Sequence, residues 1–200
     1  MDKSDYHLGM RPLPFAVEST VERQIAADPA WERGVWWGEP RPGHPEGAVA
    51  HHIADVLANV DRLFPISPDR ARLRLIALVH DSFKYLVDPT RPRTGDNHHG
   101  FLAARFLERF TDDAGVLLVA QTHDDAYNAW RSGARRGDWP RAEDRGRQLM
   151  QTLGPHLGLY LDFFACDNRV EGKAPDSYDW FLALTSRQGA TAPTHRCSSS

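Results

Sequence analysis

The chain predicts an all-α fold. Apolar residues recur at helical spacing in most segments, helix start and stop signals fall at their ends, and no segment shows the two-residue alternation of a half-buried strand. With 200 residues, of which 41% are hydrophobic and 26% charged, the length suits a single domain that can fold without a disulfide or structural metal.

The elements follow in order. Residues 1–16 are mixed and Pro-containing, and read as an arm over the core; VESTVERQIAAD at 17–28 reads as a short amphipathic helix. The stretch WERGVWWGEPRPGHPEG at 31–47 reads as a long ordered loop anchored by Trp31, Trp36 and Trp37. After Gly47, Val49, Ile53, Val56, Leu57 and Val60 repeat at helical spacing. Ser67-Pro68 marks the next start, with serine as N-cap and proline at the first position, and the apolar face runs on through LIALVHDSFKYLV. Asn97 is expected to cap HHGFLAARFLERF, and a helix from about Asp113 is expected to run through VLLVAQTHDDAYNAW to a Gly133 C-cap. Pro140 opens another, ending near Leu153, and residues 155–168 and 176–186 give two more. The result is about seven helices. The division is an N-terminal arm, short helix and Trp-rich loop at 1–46, a helical domain at 47–186, and a small, polar tail at 187–200.

Composition narrows the function. A net charge of −3 argues against a basic nucleic-acid footprint, so no long nucleic acid is expected as partner. Cys166 and Cys197 form neither a disulfide framework nor a CxxC pair. The opening MDKSDYHLGM has no apolar run, and nowhere do roughly 18 apolar residues run together, so the expectation is a cytoplasmic protein with no membrane partner. Two figures stand out: ten histidines, and three lysines (Lys3, Lys84, Lys173) against twenty-one arginines.

The histidines fall on the helices in a pattern. His51-His52 lies within one, His80-Asp81 directly follows LIALV, and His98-His99 opens another. His123-Asp124 follows VLLVAQT, and Asp167 follows LYLDFFAC. Positions on an apolar face point inward, where an imidazole or carboxylate is costly without a partner. A lone histidine there is more often a core residue bonded to a carbonyl. Several such interruptions explain one another if they share a cation, which is how metal sites are built inside helical bundles.

The ordered set His52, His80-Asp81, His99, His123 and Asp167 resembles the HD-domain superfamily of metal-dependent phosphohydrolases in its longer, two-metal form. HPEGAVAHH at 44–52 is similar to the approach to the first ligand in some members, and HDSFK at 80–84 resembles the HD-x-G-K form with Phe83 in place of glycine. HHGFLAARFL is similar to the start of the helix carrying the third ligand, which favours His99 over His98. The resemblance spans 44–168 and implies an HD-type helical bundle. It further implies that Asp81 bridges two divalent transition-metal ions (Fe, Mn, Ni, Co or Zn), with His52, His80 and Asp167 on one and His99 and His123 on the other. The implied activity is hydrolysis of a phosphomonoester or phosphodiester of a small molecule, such as a nucleotide, by a metal-bridging hydroxide. A one-metal form would use His52, His80, Asp81 and Asp167 alone.

Around that set, Lys84 lies one helical turn after His80, and the resemblance gives it a phosphate-holding role. Asp124 and Asp162 are candidates to orient an imidazole or to serve as general acid, and Glu46 to cap the first ligand helix or reach a metal-bound water. Adjacent helical residues diverge by about 100°, so His51 and His98 are expected to point away from their neighbours, His98 toward substrate. Arg91 and Arg93 in the preceding loop are candidate anion binders. Trp31, Trp36, Trp37, Trp130 and Trp180 are candidates for base stacking, although packing or homodimer contacts are their commoner use. Two other functions fit the same ligands. An HD-type diiron oxygenase would use O₂ on a small organic substrate, though no tyrosine between Ala16 and His52 supplies the gate such enzymes carry there. A non-catalytic sensing module would not need the complete ligand set.

Overall fold

Capping side chains open five of the ten α-helices in the computed structural model, which describes residues 11–40, 47–170, 173, 175–187 and 189. Ser19 accepts from Glu22 N to open α1 (Thr20–Ala26), and Asp28 accepts from Ala30 N to open α2 (Pro29–Val35). α2 occupies part of the segment expected to be a loop. Its signature, Asp28 followed by Pro29 at the first helical position, stands in the sequence one turn ahead of the tryptophans.

Helix α3 (Val49–Leu63) carries its apolar stripe inward, and α4 (Arg70–Val79) is buried along Leu73, Ile76, Ala77, Leu78 and Val79. Ser67 does not cap α4 directly; its hydroxyl accepts from Asp69 N in the turn before the helix. Asn97 likewise does not cap α5 (His99–Leu107). Its side chain accepts from Asp88 N and donates to Asp88 O and Pro92 O, knitting the 88–97 loop, while the His98 ring takes the cap position. The single helix expected from 113 to 133 is two, α6 (Ala114–Thr122) and α7 (Asp125–Arg136). Gly133 lies inside α7, where a Cβ would sit 2.3 Å from the Trp139 ring, and the left-handed C-cap is Gly137 at φ 71°. Then follow α8 (Trp139–Leu153), α9 (Leu157–Asn168) and α10 (Asp176–Arg187).

Helix α9 is the axis of the bundle. Every residue from Leu159 to Asn168 is buried, as expected of a helix surrounded by others, and it packs on α3, α4, α6, α8 and α10. α5 pairs with α6, and α7 with α8. The described residues form no strand, and no helix among them is long and apolar enough to cross a membrane.

The short α2 buttresses the end of α4. Trp31, 1% exposed, donates from Nε1 to Leu78 O at 2.8 Å, and Tyr85 donates to Ala30 O at 3.1 Å. Gly34 lies so close to the turn after α4 that an added Cβ would stand 1.6 Å from Ser82 O. Neither partner is a flexible side chain, so one backbone would have to move. We expect Gly34→Ala to destabilise the protein at the upper end of the about 1–3 kcal/mol that overpacking costs. A urea midpoint equal to that of the wild type would show that α2 is not seated there.

Candidate metal centre

Two helices stop at a His-Asp pair, and both stops are built alike. At the end of α4 the helix does not run on toward Val87. His80 turns its ring back so that Nδ1 meets Ala77 O at 2.9 Å, while Ser82 Oγ and Trp31 Nε1 both donate to Leu78 O. At the end of α6, His123 Nδ1 meets Ala120 O at 2.9 Å. Tyr160 of α9 bridges that break: its hydroxyl donates to His123 O and accepts from Ala126 N, each at 3.1 Å. Side chains thus satisfy the backbone groups that continued helix would have paired. Because a carbonyl only accepts, the Nδ1 of each histidine must carry the proton. In the neutral ring the lone pair is then on Nε2, which faces the other members of the cluster.

The other members come from three helices. His52, 6% exposed, lies within α3; His99 opens α5; Asp167 lies near the end of α9. Asn59 donates to Cys166 O at 2.9 Å, tying α3 to α9 next to Asp167.

Asp81 stands between two histidine pairs. Its Oδ2 lies 3.5 Å from His52 Nε2 and 3.6 Å from His80 Nε2, and those nitrogens are 3.2 Å apart. Asp167 Oδ1 closes this group at 3.0 Å from His52 and 3.9 Å from His80. The other oxygen, Oδ1, lies 3.3 Å from His99 Nε2 and 3.4 Å from His123 Nε2, which are 3.1 Å apart. Phe163 packs edge-on against both His80 and His123. Buried histidine and aspartate groups able to hold metal ions are therefore present: His52, His80 and Asp81, and Asp81, His99 and His123.

Asp124 joins the second group. Its carboxylate lies 3.3 Å from His99 Nε2 and 3.7 Å from His123 Nε2, on the cavity side of the rings rather than behind them. With His98 and His99 it forms a third set whose ligand atoms lie within 4.8 Å of one another.

The electrostatics favour a cation. Burial pushes His80 down to about 3, so its Nε2 stays a bare lone pair. Burial alone would raise Asp81, but Lys84 and the surrounding imidazoles hold it well below the usual carboxylate range. Asp167 is held low against its burial by Lys173 and His52, and Asp124 against its burial by His123 and His99. Burial works against charge on His123, yet Asp124 and Asp81 raise it to about 9. Lone pairs and carboxylate oxygens packed at these separations repel unless protons or a cation stand among them. A mixed imidazole and carboxylate donor set fits a divalent transition metal.

The remaining expected residues separate. Lys84 lies 2.5 Å from Asp81 Oδ2. His51 is exposed, as its helical angle from His52 requires. The His98 ring accepts from Gly100 N through Nδ1 at 3.1 Å and lies 4.6 Å from the His99 ring, so it stays beside the centre instead of turning away. Arg91 is exposed and pairs with Asp96 at 2.9 Å, and Arg93 is exposed; the structure brings neither into the cluster. Asp162 is buried on α9 about 140° around the helix from Asp167 and one turn from Cys166, whose thiol is pushed to about 12 by burial and then by Asp162. Trp31 is buried as the α2 anchor, Trp36 lies under the Arg11 guanidinium at 4.1 Å, and Trp180 meets Trp139 at a tilt of 43°. Glu46 and the HPE of the HPEG approach lie outside the described residues.

Sequence reasoning assigned no role to one residue at the cluster. Lys173 reaches Asp167 Oδ1 at 2.7 Å. The scarcity of lysine was the signal that could have found it.

No family model, curated protein or solved structure matches the chain.

Proposed function

We propose that the protein is a metal-dependent phosphohydrolase of the HD type, acting on a small phosphorylated molecule at a dinuclear centre. One observation carries the reading: each carboxylate oxygen of Asp81 faces its own pair of histidine Nε2 atoms. His52, His80, Asp81 and Asp167 would hold one ion, and Asp81, His99 and His123 the other, with Asp124 beside the second. Two such ions supply an activated water and withdraw charge from a phosphoryl oxygen.

The chain's own groups do the rest. The Ala77 and Ala120 carbonyls fix the tautomers of His80 and His123 and hold both rings in register. Lys84, with its side chain 29% exposed, lies at the mouth of the cluster and presents a mobile point charge to a phosphoryl oxygen. Asp124 is an ionised carboxylate on the same face, suited to accept a hydrogen bond from the attacking water. Phe163 keeps the side behind His80 and His123 apolar.

The test is a phosphomonoester and phosphodiester panel with protein loaded in turn with Mn²⁺, Ni²⁺, Co²⁺ and Fe²⁺. We expect turnover of at least one substrate, and for Lys84→Met a drop in kcat/KM of about 100-fold with metal content unchanged. No hydrolysis with any metal, together with O₂ uptake by the Fe²⁺ form, would transfer the protein to the oxygenase reading.

A further inference from the structure

Two of the three lysines in the chain stand on two different carboxylates of one cluster. The third, Lys3, lies outside the described residues. Lys84 comes from the turn after α4 and meets Asp81 Oδ2, whereas Lys173 comes from the segment after α9 and meets Asp167 Oδ1. Both side chains are about one-third exposed, so each spans from the buried cluster toward solvent. Asp167 Oδ1 is also the atom 3.0 Å from His52 Nε2, so Lys173 and a metal ion would share that oxygen. Histidine aside, every other basic side chain among the described residues is arginine, whose planar fork suits fixed bidentate pairs. A lysine ammonium is instead a compact charge with rotatable donors, able to turn from a carboxylate to an incoming anion.

We infer that Lys173 is a second substrate-binding cation, paired with Lys84, and that the substrate carries two adjacent phosphoryl groups, one held by each lysine. The inference rests on the metal-centre reading above. Charge balance supports it. Asp81, Asp124 and Asp167 are offset in part by Lys84 and Lys173, and two divalent ions then leave the centre near +3. A monoanionic diester or a neutral polyol leaves most of that charge unmatched, and a phosphomonoester dianion leaves part of it. A diphosphate ester comes close to cancelling it.

The probe is inorganic pyrophosphate against inorganic phosphate, each titrated calorimetrically into Mn²⁺-loaded protein, with Mn²⁺ content measured for every variant. Wild-type protein should prefer pyrophosphate by at least about tenfold, the worth of one charge-assisted hydrogen bond. Lys173→Met should lose about tenfold in pyrophosphate affinity with little change for phosphate, and Lys173→Arg, which keeps the charge, should recover most of it. Full Mn²⁺ content in the methionine variant would separate anion binding from a merely structural pairing with Asp167. An undiminished pyrophosphate preference in Lys173→Met, or none in the wild type, overturns the inference while leaving the metal centre standing. A wild-type protein that takes up none of Mn²⁺, Ni²⁺, Co²⁺ and Fe²⁺ overturns both.

Discussion

Asp81→Ala is expected to lose metal from both histidine pairs at once. Of the six proposed ligands, Asp81 alone faces both histidine pairs: Oδ2 faces His52 and His80, and Oδ1 faces His99 and His123. Losing partners that merely orient a ligand costs about 10–100-fold in metal affinity, so losing this carboxylate should cost at least the upper figure at each position. His99→Ala provides the contrast, because it removes a donor from the second group only and leaves His52, His80, Asp81 and Asp167 in place. Elemental analysis of protein purified without chelators should therefore give a graded series: full content in wild type, roughly half in His99→Ala, and background in Asp81→Ala. Far-UV circular dichroism should show unchanged helix content, since Asp81 lies in a turn beyond α4 rather than inside a helix. An Asp81→Ala protein that keeps its full metal content would remove the bridging role and the dinuclear reading with it.

The cluster was legible in the sequence because its members interrupt apolar helical faces, and that pattern is local. What was not legible is how the interruptions end their helices. LIALVHDSFKYLV reads as uninterrupted helix, yet α4 stops at Val79, where Leu78 O accepts from Ser82 and from Trp31, 47 residues earlier. VLLVAQTHDDAYNAW also reads as one helix, and the groups that stabilise its break come from Tyr160, 37 residues after His123. Partners that distant leave no mark on periodicity. The break at each His-Asp pair nevertheless shapes the site, because a ring at the helix end can fold back onto its own carbonyl and send Nε2 outward. Two other differences had local signals. Asp28-Pro29 is an ordinary helix start, masked by reading the tryptophans as loop anchors. Lys173 itself lies outside any helix, where spacing carries no direction, so only its rarity pointed to it.

Arg74→Met is expected to cost about 3–5 kcal/mol, the range for breaking a buried ion pair by removing one partner. Arg74 on α4 and Glu22 on α1 are 2% and 3% exposed, and their side chains meet at 2.8 Å and 3.1 Å. Arg74 has further partners in Ala16 O, Glu18 and Asp61, but Glu22 depends on Arg74 and on Glu18 N. Without the guanidinium, a carboxylate remains buried with one backbone donor. The pH dependence gives the mechanism its own signature. Burial alone would raise the Glu22 carboxyl, but Arg74 and the Glu18 amide hold it below its ordinary value of 4.5. A depressed carboxyl stabilises the fold at pH values above that ordinary value, and the contribution is lost as pH falls through the lower, folded one. In the variant, burial is left largely unopposed and Glu22 protonates more readily, so the gap between variant and wild type should narrow as pH falls below 4.5. The double variant Glu22→Met with Arg74→Met should recover most of the loss, since replacing both charges leaves neither stranded. Urea denaturation at neutral pH and again in acid measures both arms. A gap that stays constant with pH, or a double variant no more stable than Arg74→Met alone, would mean that the cost is lost packing of the arginine stem and not the stranded charge.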